Sequence, residues 1–245
     1  MKMYKSEKEY LKHYNIHDYD LPLATVDLCI FTLEEQALKV LLVQRGDYPG
    51  KGRWALPGGF VDARQDQDLQ ATALRKLAEK TGVRTPYVEQ IETIGNATRD
   101  PRGWSLTVLY FALVAHSETL AQTDAGEAVK AVEAVQWVAV PEALQRDLAF
   151  DHRRLLEKAV ERLRSKVSYT TLPVHILPRE FTLAELQNAY EVIMDREVDK
   201  KAFRRRIDAA DLLAETGKSR QDGGRPAKLY RLRKGAEMHF YTRSI

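Results

Sequence analysis

Three residues in one short stretch define the chemistry open to this chain. In Arg75-Lys76-Leu77-Ala78-Glu79-Lys80-Thr81-Gly82-Val83, the side chains of Lys76, Glu79 and Lys80 stand three and four residues apart. On a helix they share one face and converge. Three carboxylates in that arrangement would grip a hard divalent cation, which takes oxygen ligands. Two ammonium groups beside one carboxylate do the reverse. A pair of unit charges 4 Å apart near a protein surface interacts by about 4 kcal/mol, so this trio repels Mg²⁺ and attracts an anion. Asp62, Asp66 and Asp68 in the preceding loop are the remaining candidates for rebuilding a metal site, but they lie ahead of the helix. No metal-binding set and no catalytic residue is assigned.

A second concentration of charge lies toward the C-terminus. The net charge is only +3, yet Lys200 to Lys234 holds 12 basic residues against 4 acidic ones. Residues 1–170 carry −1 and residues 171–245 carry +4, so a near-neutral first unit precedes a basic one suited to an anionic partner. Lys200, Lys201, Arg204, Arg205 and Arg206 fall on one candidate helix whose Phe203 and Ile207 turn inward, leaving the cations to face out. Such a helix fits the major groove of double-stranded DNA. Lys218, Arg220, Arg225 and Lys228 follow, with Arg225-Pro226-Ala227-Lys228 at a hairpin tip that would reach the backbone or a minor groove. RNA is the weaker fit, because no aromatic stacking platform accompanies the arginines.

These residues need a scaffold, and the hydrophobic pattern supplies one. Val26, Leu28 and Ile30 alternate with Thr25, Asp27 and Cys29, and KVLLVQR follows from Lys39, giving two strands before a loop at 47–52. Leu69, Ala73, Leu77 and Ala78 recur at helical spacing from Asp68 to Lys80, and Gly82 stops that helix. Thr93 to Arg102 reads as a loop, 105–115 and 135–140 as strands, and DHRRLLEKAVERLRSK from Asp151 as a strong amphipathic helix, with Asp151 as its cap. Strands mixed with helices in this way imply an α/β sheet covered by helices. Beyond connector prolines Pro173 and Pro178, Thr182 and Glu185 form a capping box for a helix over 183–194. A three-residue turn leads to the basic helix, read from Lys200 to Leu213, and Gly223-Gly224 with LYRLR then outline a wing.

Length and composition agree with two soluble units. At 245 residues there is room for one large and one small core. No apolar run approaches a membrane span and the first 20 residues lack a signal-peptide core, so a cytoplasmic location is expected. The lone Cys29 forms no internal disulfide, which fits a reducing compartment.

The stretch from Gly58 to Val83 resembles a Nudix box in which two of three clustered glutamates have become Lys76 and Lys80 and the upstream glutamate position falls on Gln65 or Gln67. Arg99-Asp100-Pro101-Arg102-Gly103-Trp104 is similar to a segment of Nudix proteins that handle ADP-ribose. Taken with LPGGFVD, FRRRIDAADLL and GRPAKLY, the chain resembles the Nudix-related transcriptional regulators of the NrtR family along nearly its whole length. That resemblance implies a Nudix α/β/α sandwich with a mixed sheet over residues 1–150, a linking helix over 151–168, and a winged helix-turn-helix over 169–245. It implies an effector pocket of Arg45, Arg53, Trp54, Gly58, Gly59, Lys76, Glu79, Lys80, Arg99, Asp100, Arg102, Trp104 and His152. It further implies a homodimeric repressor, commonly of NAD-metabolism genes, that binds a palindromic operator and senses ADP-ribose or a related nucleotide without a cofactor. An active hydrolase of ADP-ribose-like compounds, and a regulator of sugar-utilisation genes responding to a sugar phosphate, are the alternatives.

Overall fold

The computed structural model describes residues 4–83, 87–118, 132–221, 226–236 and 238–241. Its centre is a seven-stranded mixed sheet. β1 (Leu23–Glu34) pairs in parallel with β6 (Ser105–Leu113) and antiparallel with β2 (Ala37–Arg45). Short β3 (Trp54–Ala55) and β7 (Val132–Ala139) extend the sheet from β2, β4 (Gly58–Phe60) pairs with β1, and β5 (Tyr87–Asn96) closes the other edge on β6. The period of two in β1 sorts its residues between faces. Val26, Leu28 and Ile30 meet Ala73 and Leu77 of α2 (Leu69–Thr81), while Cys29 and Phe31 join Leu155, Leu156, Ala159 and Leu163 of α4 (His152–Tyr169). A helix on each face makes the expected α/β/α sandwich.

α1 (Glu7–His13) precedes this sandwich and α3 (Val140–Gln145) leads into α4, with Pro141 in its first turn. α4 then serves two cores at once. The apolar cluster on its side of the sheet continues through Leu172 and Ile176 to Tyr190 and Ile193 of α5 (Leu183–Met194) and to Phe203 and Ile207 of α6 (Lys200–Ala210). The Tyr190 hydroxyl donates to the Thr170 carbonyl at 2.8 Å, tying α5 to the end of α4. The capping box forms as expected: Glu185 N–H donates to Thr182 Oγ1 at 3.1 Å, and Thr182 N–H donates to Glu185 Oε2 at 2.6 Å. β8 (Leu213–Arg220) and β9 (Ala227–Leu232) form the antiparallel wing.

Three sequence expectations need correction. Thr93 to Asn96 are strand, because Thr93 and Ile94 pair with Val108 and Thr107 and the sheet overrides the turn-forming composition that follows. The basic helix ends at Ala210 and not at Leu213, since Asp211 adopts a left-handed cap (φ 47°) and Leu213 already pairs with Leu232. Asp151 stands at the N-cap of α4, but its side chain caps nothing and is drawn instead to Arg99. The Gly223-Gly224 turn lies outside the described residues.

Candidate anion-binding pocket and nucleic-acid interface

A cleft of about 330 Å³ opens where β1, β2, β4, the α2 face, the loop after β5 and the start of α4 meet. Arg45, Gly58, Gly59, Lys76, Glu79, Lys80, Arg99, Asp100, Arg102 and His152 all line it, so most of the residues expected there are brought together. The glycines are there because the backbones come close. Any Cβ on Gly58 would collide with the Asp27 carboxylate and the Val26 carbonyl. At Gly59 (φ 152°) a Cβ would stand 3.2 Å from Lys76 Cε, so the lysine stem lies across the glycine and carries its ammonium into the cleft.

The box helix presents the charge balance expected from its sequence. Glu79 accepts from Arg75 at 3.1 Å and from Lys76 at 3.2 Å. Lys80 has no ion-pair partner among the described residues; burial lowers its pKa, Glu79 opposes that and Lys76 adds to it. The loop aspartates are held in structural roles. Asp66 takes a bidentate bond from Arg75 (2.8 and 2.6 Å) and one from Thr72 (2.8 Å), which hold its carboxyl well below the usual range. Asp62 accepts from Arg64 N–H and the Gln65 side chain, and Asp68 caps α2 through Ala71 N–H at 2.7 Å. The carboxylate that faces the cleft between two lysines is therefore already paired with cations.

Asp27 is the principal residue that sequence reasoning missed. Buried on β1, it takes Arg99 Nη2 at 3.3 Å on one oxygen, and His152 Nε2 stands 3.7 Å from the other. Arg99, itself buried, also bonds Asp151 at 3.0 and 3.2 Å, so one guanidinium fixes β1, the loop after β5 and the head of α4 together. The signal was present in the alternation, which places an ionisable Asp27 on the same face as Cys29 and Phe31. Phe60 and Phe150 were missed as well: Arg102 lies over the Phe60 ring (5.0 Å) and Arg45 over the Phe150 ring (4.8 Å). The ring contacts leave the guanidinium edges for hydrogen bonds: Arg102 grips Asp100 through Nε and Nη2 (3.0 and 2.7 Å), and Arg45 Nε donates to the Pro49 carbonyl at 2.8 Å.

His152 accepts from Leu56 N–H through Nδ1 at 2.9 Å, so its proton sits on Nε2 facing Asp27. Burial lowers its pKa and that of His175. Below about pH 6.5 the unfolded chain takes up protons that the folded histidines refuse, so unfolding free energy decreases as the pH is lowered, by up to about 1.4 kcal/mol per pH unit for each group. Urea unfolding between pH 7.5 and 5.5 should show this loss, with a shallower slope in His152→Gln. An equal slope in that variant would place the missing proton elsewhere.

Three expected residues stand outside the cleft. Arg53 pairs with Asp147 (2.5 Å) and the Leu148 carbonyl (2.6 Å), and Trp54 lies beneath Arg146 (5.2 Å) while its carbonyl accepts from Ala149 N–H. Both brace the segment that delivers Phe150 and His152. Trp104 is 51% exposed, its ring packed on Gly95 outside the lining.

In the second unit, Asp199 caps α6 through Ala202 N–H at 2.7 Å, and Lys200, Lys201, Arg204 and Arg205 are exposed without ion pairs among the described residues. Arg206 does not point outward as expected. Three residues beyond Phe203, it falls on the apolar side of the helix, and its guanidinium stands 5.9 Å from the Tyr241 ring. Lys218 pairs with Glu180 (3.0 Å), Arg220 with Glu185 (2.6 Å) and Lys228 with Glu215 (2.9 Å). Exposed pairs of this kind are worth about 0–1 kcal/mol, so a phosphate can displace them. Arg225 lies outside the described residues. Four cations without ion pairs among the described residues thus stand together on α6, and no helix among the described residues is long and apolar enough to cross a membrane.

Comparison with known proteins places both halves. Residues 22–159 match the NUDIX domain and residues 173–232 match the NrtR DNA-binding winged helix domain. The chain is 50% identical to the ADPR responsive transcriptional repressor NtrR of Acinetobacter baylyi, over 93% of this chain and 89% of the other. It superimposes on Shewanella oneidensis NrtR complexed with a 27mer DNA at 46% identity and a TM-score of 0.83, covering 91% of this chain and 99% of that one. The Nudix domain of the same Shewanella protein complexed with ADP ribose matches at 48% identity and a TM-score of 0.58, covering 64% of this chain and 99% of that one.

Proposed function

This chain belongs to the NrtR family of regulators, in which a Nudix domain is joined to a winged helix, and on that premise we propose that it is an ADP-ribose-responsive transcriptional repressor whose Nudix pocket binds and does not hydrolyse. The observation that carries the proposal is the pair Lys76 and Lys80 lining the cleft around a single, already paired carboxylate, Glu79. Ammonium groups there neutralise a diphosphate directly, and they occupy the helix positions from which carboxylates would hold Mg²⁺. Arg45, Arg99, Asp100, Arg102 and His152 complete the effector site, with Gly58 and Gly59 as its floor.

In this reading residues 1–150 form the effector domain, 151–168 link, and 169–245 bind DNA. A cytoplasmic homodimer sets two recognition helices on a palindromic operator, with genes of NAD metabolism as the targets. Lys200, Lys201, Arg204 and Arg205 make the first phosphate and base contacts, and Lys218, Arg220, Arg225 and Lys228 follow in the wing. Effector and operator communicate through α4. Its first residue, His152, lines the cleft, and its last turn meets α5. By linkage, whatever factor ADP-ribose applies to operator affinity, the operator applies to ADP-ribose affinity.

Thermal shift with ADP-ribose, NAD and pentose phosphates, followed by a mobility shift on the protein's own upstream DNA, tests the proposal. ADP-ribose is expected to stabilise the chain without Mg²⁺ and to change operator affinity. Release of AMP at ordinary enzymatic rates, or an operator affinity indifferent to ADP-ribose, would overturn it.

A further inference from the structure

Both ends of α4 are tied to β5 and the loop that follows it. At the cleft, Arg99 of that loop holds Asp151 at 3.0 and 3.2 Å. Midway along the helix Lys158 pairs with Glu92 at 2.5 Å. At the far end Arg162 donates to Glu89 Oε1 through Nη2 at 2.8 Å and Nε at 3.2 Å, and the Lys166 ammonium pairs with Glu89 Oε2. Lys158, Arg162 and Lys166 recur at four-residue steps, so α4 presents a basic stripe to the edge strand beside the apolar stripe it lays on the sheet. From residue 151 to 166 this ladder runs about 22 Å, at 1.5 Å per residue.

Residues three apart on a regular strand face opposite ways, yet Glu89 and Glu92 both reach the helix. A bulge between Gln90 and Glu92 accounts for it: Glu89 stands opposite Phe111 and Glu92 opposite Leu109, and both of those partners belong to the α4 core. The strand gives up regular pairing at the point that aims two carboxylates at α4. The far rung is the buried one, with the Glu89 and Lys166 side chains 14% and 11% exposed. Tyr87 donates to the same Glu89 oxygen at 2.5 Å, and its ring meets His175 at 4.9 Å in the turn (Leu172–Ile176) that leads into the winged helix. Glu89 thus holds, directly or through Tyr87, both the end of α4 and the connector.

On the reading that the cleft holds the effector, we propose that Glu89, with Arg162 and Lys166, is the positioning clamp that makes the DNA-binding unit follow the sensor strand. A diphosphate in the cleft competes with Asp151 for Arg99, the first rung. The resulting shift of the loop is carried along β5 and delivered through Glu89 to the end of α4 and to His175. Without the far rung, effector and operator each find an intact site, and neither changes the affinity of the other.

Glu89→Gln/Lys166→Met is the test, because it removes both charges of the buried pair together and leaves no lone ion, while the amide still accepts from Tyr87 and Arg162. Anisotropy of labelled operator with and without saturating ADP-ribose gives the coupling factor, and calorimetry gives ADP-ribose affinity in the absence of DNA. The wild type is expected to show a factor of about 5 or more and the double variant a factor of about 1–2, with each separate affinity within about three-fold of wild type. Lys158→Met, at the more exposed middle rung, should keep the wild-type factor. A brace that serves stability alone would lower the melting point of the double variant and leave its factor unchanged. That result, a double variant that no longer binds ADP-ribose, or a factor lost as fully in Lys158→Met would each overturn the proposal. A wild type with a factor of one overturns the functional reading along with it, so the two failures are told apart by the wild type.

Discussion

Replacing Lys76 and Lys80 together by glutamate is expected to weaken metal-free ADP-ribose binding by at least about 100-fold, with the chain still folded. Each ammonium offers a charge-assisted hydrogen bond to phosphate worth about 1.5–3 kcal/mol, and losing two is worth roughly 3–6 kcal/mol before repulsion is added. The fold should tolerate the change, since both side chains reach into an open cleft and the shorter glutamate still clears Gly59. Mg²⁺ should then reverse the result. The double variant presents three carboxylates on one helical face, so calorimetry with Mg²⁺ should restore much of the affinity, whereas the same ion leaves the wild type indifferent. If the variant binds metal-free ADP-ribose as tightly as the wild type, the lysines are only a solvated helix face. If the wild type hydrolyses as fast as the variant, they do not keep the cleft from catalysis.

Arg205→Ala is expected to weaken operator binding about ten-fold and to lower the slope of log affinity against log salt by about one, and Arg204→Ala/Arg205→Ala to lower it by about two. Both side chains are exposed on α6 and unpaired among the described residues, so each phosphate contact they make releases a counterion. Arg206→Ala supplies the internal control. Turned toward Tyr241, that guanidinium should contribute to folding stability and leave the salt slope alone. Fluorescence anisotropy of labelled operator between 50 and 200 mM salt separates the two classes. A slope in Arg206→Ala that falls as far as in Arg205→Ala would show that position 206 meets DNA after all.

Much of this was legible in the residues themselves, and the exceptions share a cause. Lys76, Glu79 and Lys80 converge because helical spacing alone puts them on one face, and the Thr182–Glu185 capping box formed as written because both partners lie within one turn. The stop at Gly82 and the split of β1 between two faces are likewise consequences of local geometry. Where the reading failed, the deciding partner was distant in sequence. Thr93 is strand because Val108 lies beside it, Asp151 leaves its capping role because Arg99 arrives from 52 residues away, and Arg53 braces a loop because Asp147 is there to pair with it. Arg206 is the intermediate case, since the helical period placed it next to Phe203 but only the position of Tyr241 gave it something to face. The sequence by itself therefore determined the two units, the anion-seeking helix face and the basic recognition helix. Only the tertiary structure decided which side chains enter the cleft, because a buried ion such as Asp27 is tolerated only where partners from other elements meet it, and no local pattern encodes that meeting.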